Sequence, residues 1–207
     1  MEEVSEQKPS TEELILRAAE REFLDKGYAG ARTAAIAEAA GVTHAMLHYY
    51  FRSKDKLFEQ IVAEKMKKLG DIMFGAFSNA ELPLKERVIQ GVERHFDFLA
   101  SNPDLPRFIT NEIACRPERI ELMRAQLLSK ASDMLMALQS EFDRLPGPRI
   151  DALMLFVDLI SLNVFPFIAA PLLEKVVGEP VYGTYEDFLQ ARKRANVKTI
   201  LEKLNLQ

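Results

Sequence analysis

His44 and His48 lie four residues apart in a stretch whose apolar residues recur at helical spacing. On a helix they share one side, one turn apart. Two neighbouring imidazoles suit either metal ligation or hydrogen bonding to polar edges such as those of nucleic-acid bases. A zinc site needs more ligands than this pair. The chain holds one further histidine, His95, and one cysteine, Cys115. No carboxylate falls in register with the pair and HExxH is absent, so no metal is expected. In a major groove the same two rings can bond base edges, and Ala45 or Met46 can touch a thymine methyl. Arg32, Thr33, Tyr49 and Lys54 flank that face and offer donors to phosphates. Lys54 also opens a helix, where backbone N–H groups favour an anion.

Such a surface needs a rigid support, and residues Thr33 to Phe51, TAAIAEAAGVTHAMLHYYF, have the makings of one. Thr33 starts a short helix and Ala37 is small enough for two helices to touch. Gly41 can take the left-handed backbone of a tight turn. Thr43 can cap the second helix, which reaches about Tyr50. Ile36, Ala40, Val42, Leu47 and Tyr50 fall on inward positions, with Phe23 and Phe51 to complete a small core. This is the pattern of a helix-turn-helix. Before it, Ser10 and Thr11 precede Glu12 and Glu13, a helix start whose stripe of Leu14, Ala18 and Phe23 ends at Gly27. After it, Ser53 caps a helix running into the seventies.

The chain has 207 residues, 48% of them hydrophobic, with a net charge of −4. Globally nothing suggests nucleic acid. Locally, residues 28–56 carry Arg32, Arg52, Lys54 and Lys56 against Glu38 and Asp55, net +2, leaving −6 on the rest. With so few basic groups per head, affinity for DNA requires two heads. A single cysteine excludes an internal disulfide framework and points to a reducing compartment. Residues 1–10 are polar and acidic, without an export signal, and a cytoplasmic location is expected. The longest apolar run, Leu159 to Leu173, is interrupted by Asn163, Pro166 and Pro171 and falls short of the ~20 residues of a bilayer span, so no membrane partner is expected.

Beyond the head the 3.6-residue period continues without a convincing strand. Helices are expected past Pro83 to about Ser101, at about 105–115, about 118–145, about 149–177 with bends at Pro166 and Pro171, and about 184–205. The fold class is all-α: a three-helix head on a larger helical-bundle body, about nine helices in all. The organisation read from this is a polar tail (1–10), a helix-turn-helix domain (11–56) and a helical body (57–207).

At this point residues from about Thr11 to Ile61 resemble the DNA-binding head of the TetR family of one-component bacterial regulators. The resemblance is carried by Phe23, Gly27-Tyr28, Ile36-Ala37, Ala40-Gly41-Val42-Thr43, Leu47 to Phe51, Ser53-Lys54-Asp55 and Leu57. It covers about a quarter of the chain. It implies base-reading positions at His44, Ala45 and His48, and phosphate-holding positions at Thr33, Tyr49, Tyr50 and Lys54. With Arg32 and Thr43, these form the candidate DNA-binding set. Most relatives carry tyrosine where this chain has His48, so the His/Tyr order at 48–49 is reversed. The resemblance also implies a homodimer formed through the helices at about 149–177 and 184–205. It further implies a near-palindromic double-stranded operator and a small-molecule effector bound in the body.

For the effector, His95, Phe96, Met123, Met134, Phe156 and Phe165 are candidate lining residues, each of which could equally be core. Asn111, Glu112, Asp158 and Asn163 are polar residues in apolar surroundings, suited to orienting a ligand or satisfying a seam. No phosphate loop, nucleophile elbow or Cys/His arrangement is present, so neither an enzyme nor a cofactor is expected. The expected function is a sequence-specific transcriptional regulator, a repressor released by a largely apolar effector. The alternative is a helical scaffold whose head docks on protein. Salt separates the two, since DNA binding weakens steeply as salt rises.

Overall fold

The computed structural model describes residues 9–115, 120–177 and 181–206, with the side chains of residues 113, 115 and 120–130 outside the description. Ten helices and no strand are found among them. The chain divides into two compact units, Met1–Lys65 and Met66–Gln207.

The first unit holds α1 (Thr11–Gly30), α2 (Thr33–Ala39), α3 (His44–Phe51) and the opening turns of α4 (Lys54–Phe77). Ser10 and Glu13 cap α1 reciprocally, each side chain bonding the other's backbone N–H (3.2 and 2.8 Å). Gly27 interrupts α1 at φ 65°, ψ 174°, a conformation open essentially to glycine alone. The buried stripe of α1 is Ile15, Ala18, Ala19 and Phe23, one step round from the expected one, and Leu14 is 37% exposed. Phe58 of α4 meets the Phe23 and Tyr28 rings edge-on at 5.1 and 5.0 Å. The start of α4 thus belongs to the core of the head, and this unit runs nine residues past the boundary expected at 56.

The second unit is built from the rest of α4 with α5 (Leu84–Ala100), α6 (Leu105–Cys115), α7 (Ile120–Phe142), α8 (Ala152–Ile168), α9 (Ala170–Val176) and α10 (Tyr185–Lys203). Val88, Val92, Phe96 and Leu99 form the buried stripe of α5, as their spacing predicts. Val88 and Val92 join Met73, Phe77, Met134, Leu138, Leu155 and Ile200 in the main core, while Phe96 and Leu99 pack with Phe167 and Leu189 in a smaller one.

The helix expected over 149–177 is two helices, starting only at Ala152 and bent by 73° between α8 and α9. Pro166 sits inside α8 without ending it. The break falls at Ala169 because Pro171, in the first turn of α9, has no N–H for the Phe167 carbonyl and its ring crowds that oxygen. Tyr185 donates its hydroxyl to the Pro166 carbonyl nearby (2.7 Å). No single helix among the described residues is long and apolar enough to cross a membrane.

Candidate nucleic-acid interface

The geometry of α3 follows from both of its ends. Before it, the Val42 N–H reaches the Ala37 carbonyl and the Gly41 N–H that of Glu38, both at 3.0 Å, with Gly41 at φ 67°. This paired closure consumes orphan carbonyls of α2 and requires the left-handed residue that glycine supplies. Thr43 then caps α3, its hydroxyl accepting from the Met46 N–H (3.2 Å). Beneath, Leu47 and Phe51 are buried, as are Ile36, Ala37 and Phe23 of the same unit, and α2 packs against both α1 and α3. A helix of eight residues is marginal alone and is held by this packing.

Its outward face carries His44, Ala45, His48 and Tyr49, all exposed, with Tyr49 82% open to solvent. The two imidazoles meet edge-on, centroids 4.7 Å apart. His44 Nε2 lies 3.0 Å from the Thr33 hydroxyl at the start of α2, which ties the two helices together on this face. Arg32 is exposed at the N-cap of α2, and its backbone N–H donates to Glu22 of α1 (3.2 Å). The Lys26 ammonium beside Glu22 holds that carboxyl below its ordinary value. Lys54 places its Nζ over the Tyr28 ring at 4.5 Å from the centroid, while the Tyr28 hydroxyl donates to Asp55 (2.6 Å). The cation is thus positioned on an aromatic face at the opening of α4.

Tyr50 departs from expectation. Its spacing from Leu47 predicts an inward side chain, yet it is 41% exposed and stacks edge-on with Tyr49 at 5.5 Å. Phe51, one turn from Leu47, is buried as expected, and Tyr50 lies on the flank of the helix beside Tyr49. Arg52 is the residue that sequence reasoning passed over. It has φ 55°, ψ −38°, and its carbonyl lies 3.0 Å from His48 Nδ1. The one available signal is brevity: Phe51 ends a helix and Ser53 caps the next, its hydroxyl accepting from Lys56 N–H (3.2 Å). Arg52 and Ser53 are the whole connection.

Of the candidate effector residues of the body, Met134 and Phe156 share one core and the other described ones lie in different surroundings. His95 and Phe96 are buried, Met134 belongs to the main core, Phe156 is partly buried against that core, and Phe165 is 60% exposed. Phe96 lies in the smaller core instead. The side chain of Met123 lies outside the described residues, as does that of Cys115. Asn163 is a structural tie. Its Nδ2 donates to the Val92 carbonyl (2.9 Å) and to His95 Nδ1 (3.2 Å), and its Oδ1 accepts from Asn196 (2.9 Å). Asp158 pairs with Lys203. A separate cleft of about 380 Å³ opens between α4, α5 and α7, walled by Phe74, Phe77, Ala137 and Leu138, with Arg87 and Glu141 paired at its edge. Met134 is the one expected residue on its wall. Among the described residues no group of three His, Cys, Asp or Glu side chains is placed to hold a metal ion.

An all-helical chain that begins with this tight-turned pair, one helix packed and the next presenting a polar face, is a helix-turn-helix DNA-binding protein. The family model described as "Bacterial regulatory proteins, tetR family" matches residues 15–61. Residues 15–61 thus match the DNA-binding head of TetR-family transcriptional regulators. A protein of Bacillus subtilis (strain 168) named as an HTH-type transcriptional regulator, YttP, is 25% identical over 177 residues, 82% of this chain and 83% of its own. Two solved structures share the fold. Regulator SCO4942 of Streptomyces coelicolor has a TM-score of 0.66 at 24% identity, over 93% of this chain and 97% of its own. FadR of Bacillus subtilis, solved with stearoyl-CoA, has a TM-score of 0.65 at 18% identity, over 92% and 97%.

Proposed function

We propose that the chain is a homodimeric repressor. Each head lays α3 into a major groove of a near-palindromic operator, and a small, largely apolar effector in the body releases it. His44, Ala45 and His48 face the bases. Arg32, Thr33, Tyr49, Tyr50 and Lys54 hold phosphates, and Thr43 fixes the start of the reading helix. The observation that carries this is the exposed His44–Ala45–His48–Tyr49 face of α3, anchored from beneath by Leu47 and Phe51.

Dimerisation through α8 and α10 is supported by the apolar side chains that α8 leaves open. Leu153, Val157 and Phe165 are exposed at intervals of four and eight residues, with Met154 beside them. A stripe of that kind is unusual on a monomer's surface. Two heads then meet half-sites one helical turn, ~34 Å, apart. An apolar effector is supported by the cleft, whose wall includes Phe74, Phe77, Met134 and Leu138, and by the FadR structure of similar fold with stearoyl-CoA, whose acyl chain is apolar. The effector acts through its differential affinity for bodies that do and do not suit the operator spacing.

Enrichment of genomic fragments by the purified protein supplies the operator. Tyr49→Ala then weakens binding to all duplexes alike, while His48→Ala weakens it with relaxed base preference, both read by mobility shift. Unchanged binding in both variants removes this face from the interface. Stearoyl-CoA, used as the probe, should raise the melting temperature of the protein and release the operator.

A further inference from the structure

The histidine couplet on α3 has four ring nitrogens, and two are engaged within the protein. His44 Nε2 meets the Thr33 hydroxyl and His48 Nδ1 meets the Arg52 carbonyl, each at 3.0 Å. The two contacts differ in what they determine. A hydroxyl can donate or accept, so Thr33 leaves the tautomer of His44 open. A carbonyl only accepts, so the bond to Arg52 requires a proton on His48 Nδ1. In the neutral ring Nε2 is then a lone-pair acceptor.

The backbone around Arg52 holds this arrangement in place. The Arg52 N–H donates to the His48 carbonyl at 2.9 Å, closing the last turn of α3, while the Arg52 carbonyl accepts from the His48 ring. The two residues are bonded to each other twice. The positive φ of Arg52 (55°), costly for a residue with a Cβ, brings the second bond about. Strain of this kind is kept where surrounding structure over-determines it, typically at a working site. The other flank of the His48 ring is fixed by the edge-on contact with His44.

We propose that His48 is a specificity-determining residue that accepts, through Nε2, a hydrogen bond from an exocyclic base amino group in the major groove, adenine N6 or cytosine N4. This rests on the reading of α3 as the DNA-facing helix and adds the chemistry of one contact. In the major groove those two amino groups are the donors. Guanine offers N7 and O6 and thymine O4, all acceptors, and an acceptor-only Nε2 is repelled by them.

The test uses the full-length protein and the operator recovered by fragment enrichment, at about pH 8, above the ordinary imidazole range. Adenines are replaced singly by purine, and cytosines by 2-pyrimidinone, each lacking only the amino group. One position per half-site should lose about five- to tenfold in affinity with the wild type. The same replacement should cost His48→Ala nothing further. Nitrogen-15 spectra of the imidazoles supply an independent readout: His48 should show a protonated Nδ1 and an unprotonated Nε2. The proposal is overturned if no amino group couples to His48 or if the spectra show the opposite tautomer. Failure of the wild type to bind any duplex, even at low salt, overturns the wider reading of α3 instead, and this one with it.

Discussion

Lowering the pH should destabilise the body through one buried imidazole. His95 is 1% exposed at the meeting of α5 and α8, and burial pushes its pKa down from 6.5 to about 4. Its Nδ1 accepts from Asn163 Nδ2 at 3.2 Å, so a proton arriving there also sets two donors against each other. The unfolded chain takes up this proton near pH 6.5, the folded one only near 4. Between those values the unfolded state binds more protons, so stability is intact above about 6.5 and declines as the pH falls. The whole difference is about 3.4 kcal/mol, and about 2 kcal/mol of it is lost by about pH 5. For a chain of this size that corresponds to a fall of about 4–8 °C in Tm. Urea unfolding followed by helical circular dichroism at about pH 7.5 and about pH 5 measures it. His95→Asn keeps an acceptor for Asn163 but cannot titrate, so it isolates the imidazole from the carboxylates that also protonate in acid. If wild type and variant lose equal stability between the two pH values, the reasoning is wrong.

Three further outcomes are expected. Gly91→Ala should destabilise the body although alanine is the better helix former by about 1 kcal/mol. Its Cβ would lie 2.4 Å from the buried Phe77 ring, and overpacking of that kind costs about 1–3 kcal/mol, read as a lower urea midpoint. Gly27→Ala should cost the head about 1–3 kcal/mol through backbone strain alone, since nothing lies within 4 Å of the added atom; thermal unfolding of the variant measures it. Glu141→Leu should cost about 3 kcal/mol by leaving the buried Arg87 guanidinium without its carboxylate, a low-end figure because Glu141 is itself 34% exposed. The double variant Arg87→Met with Glu141→Leu should recover most of that loss in the same urea titration.

Much of the head is legible in the sequence because its determinants are local. Ser10 with Glu13, Gly41 with Glu38, Val42 with Ala37, and Thr43 with Met46 are contacts within three to five residues of chain, and a reader of the sequence can place them. The stripe of α5 follows equally from its spacing. What the tertiary structure decided is non-local or depends on which face meets which neighbour. Phe51 is buried while Tyr50 stays 41% exposed, a choice of face that the spacing from Leu47 leaves open. His95, Asn163 and Asn196 are separated by tens of residues and meet only because α5, α8 and α10 pack together. Of the candidate effector residues, Met134 and Phe156 belong to the main core and Phe96 to the smaller one, because helical period reports that a residue is buried but not beside what. At Arg52 a carbonyl turned by an unfavourable backbone angle constrains His48 from outside its own helix. Residue types reveal that α3 can read an edge, but only the folded chain decides with which nitrogen.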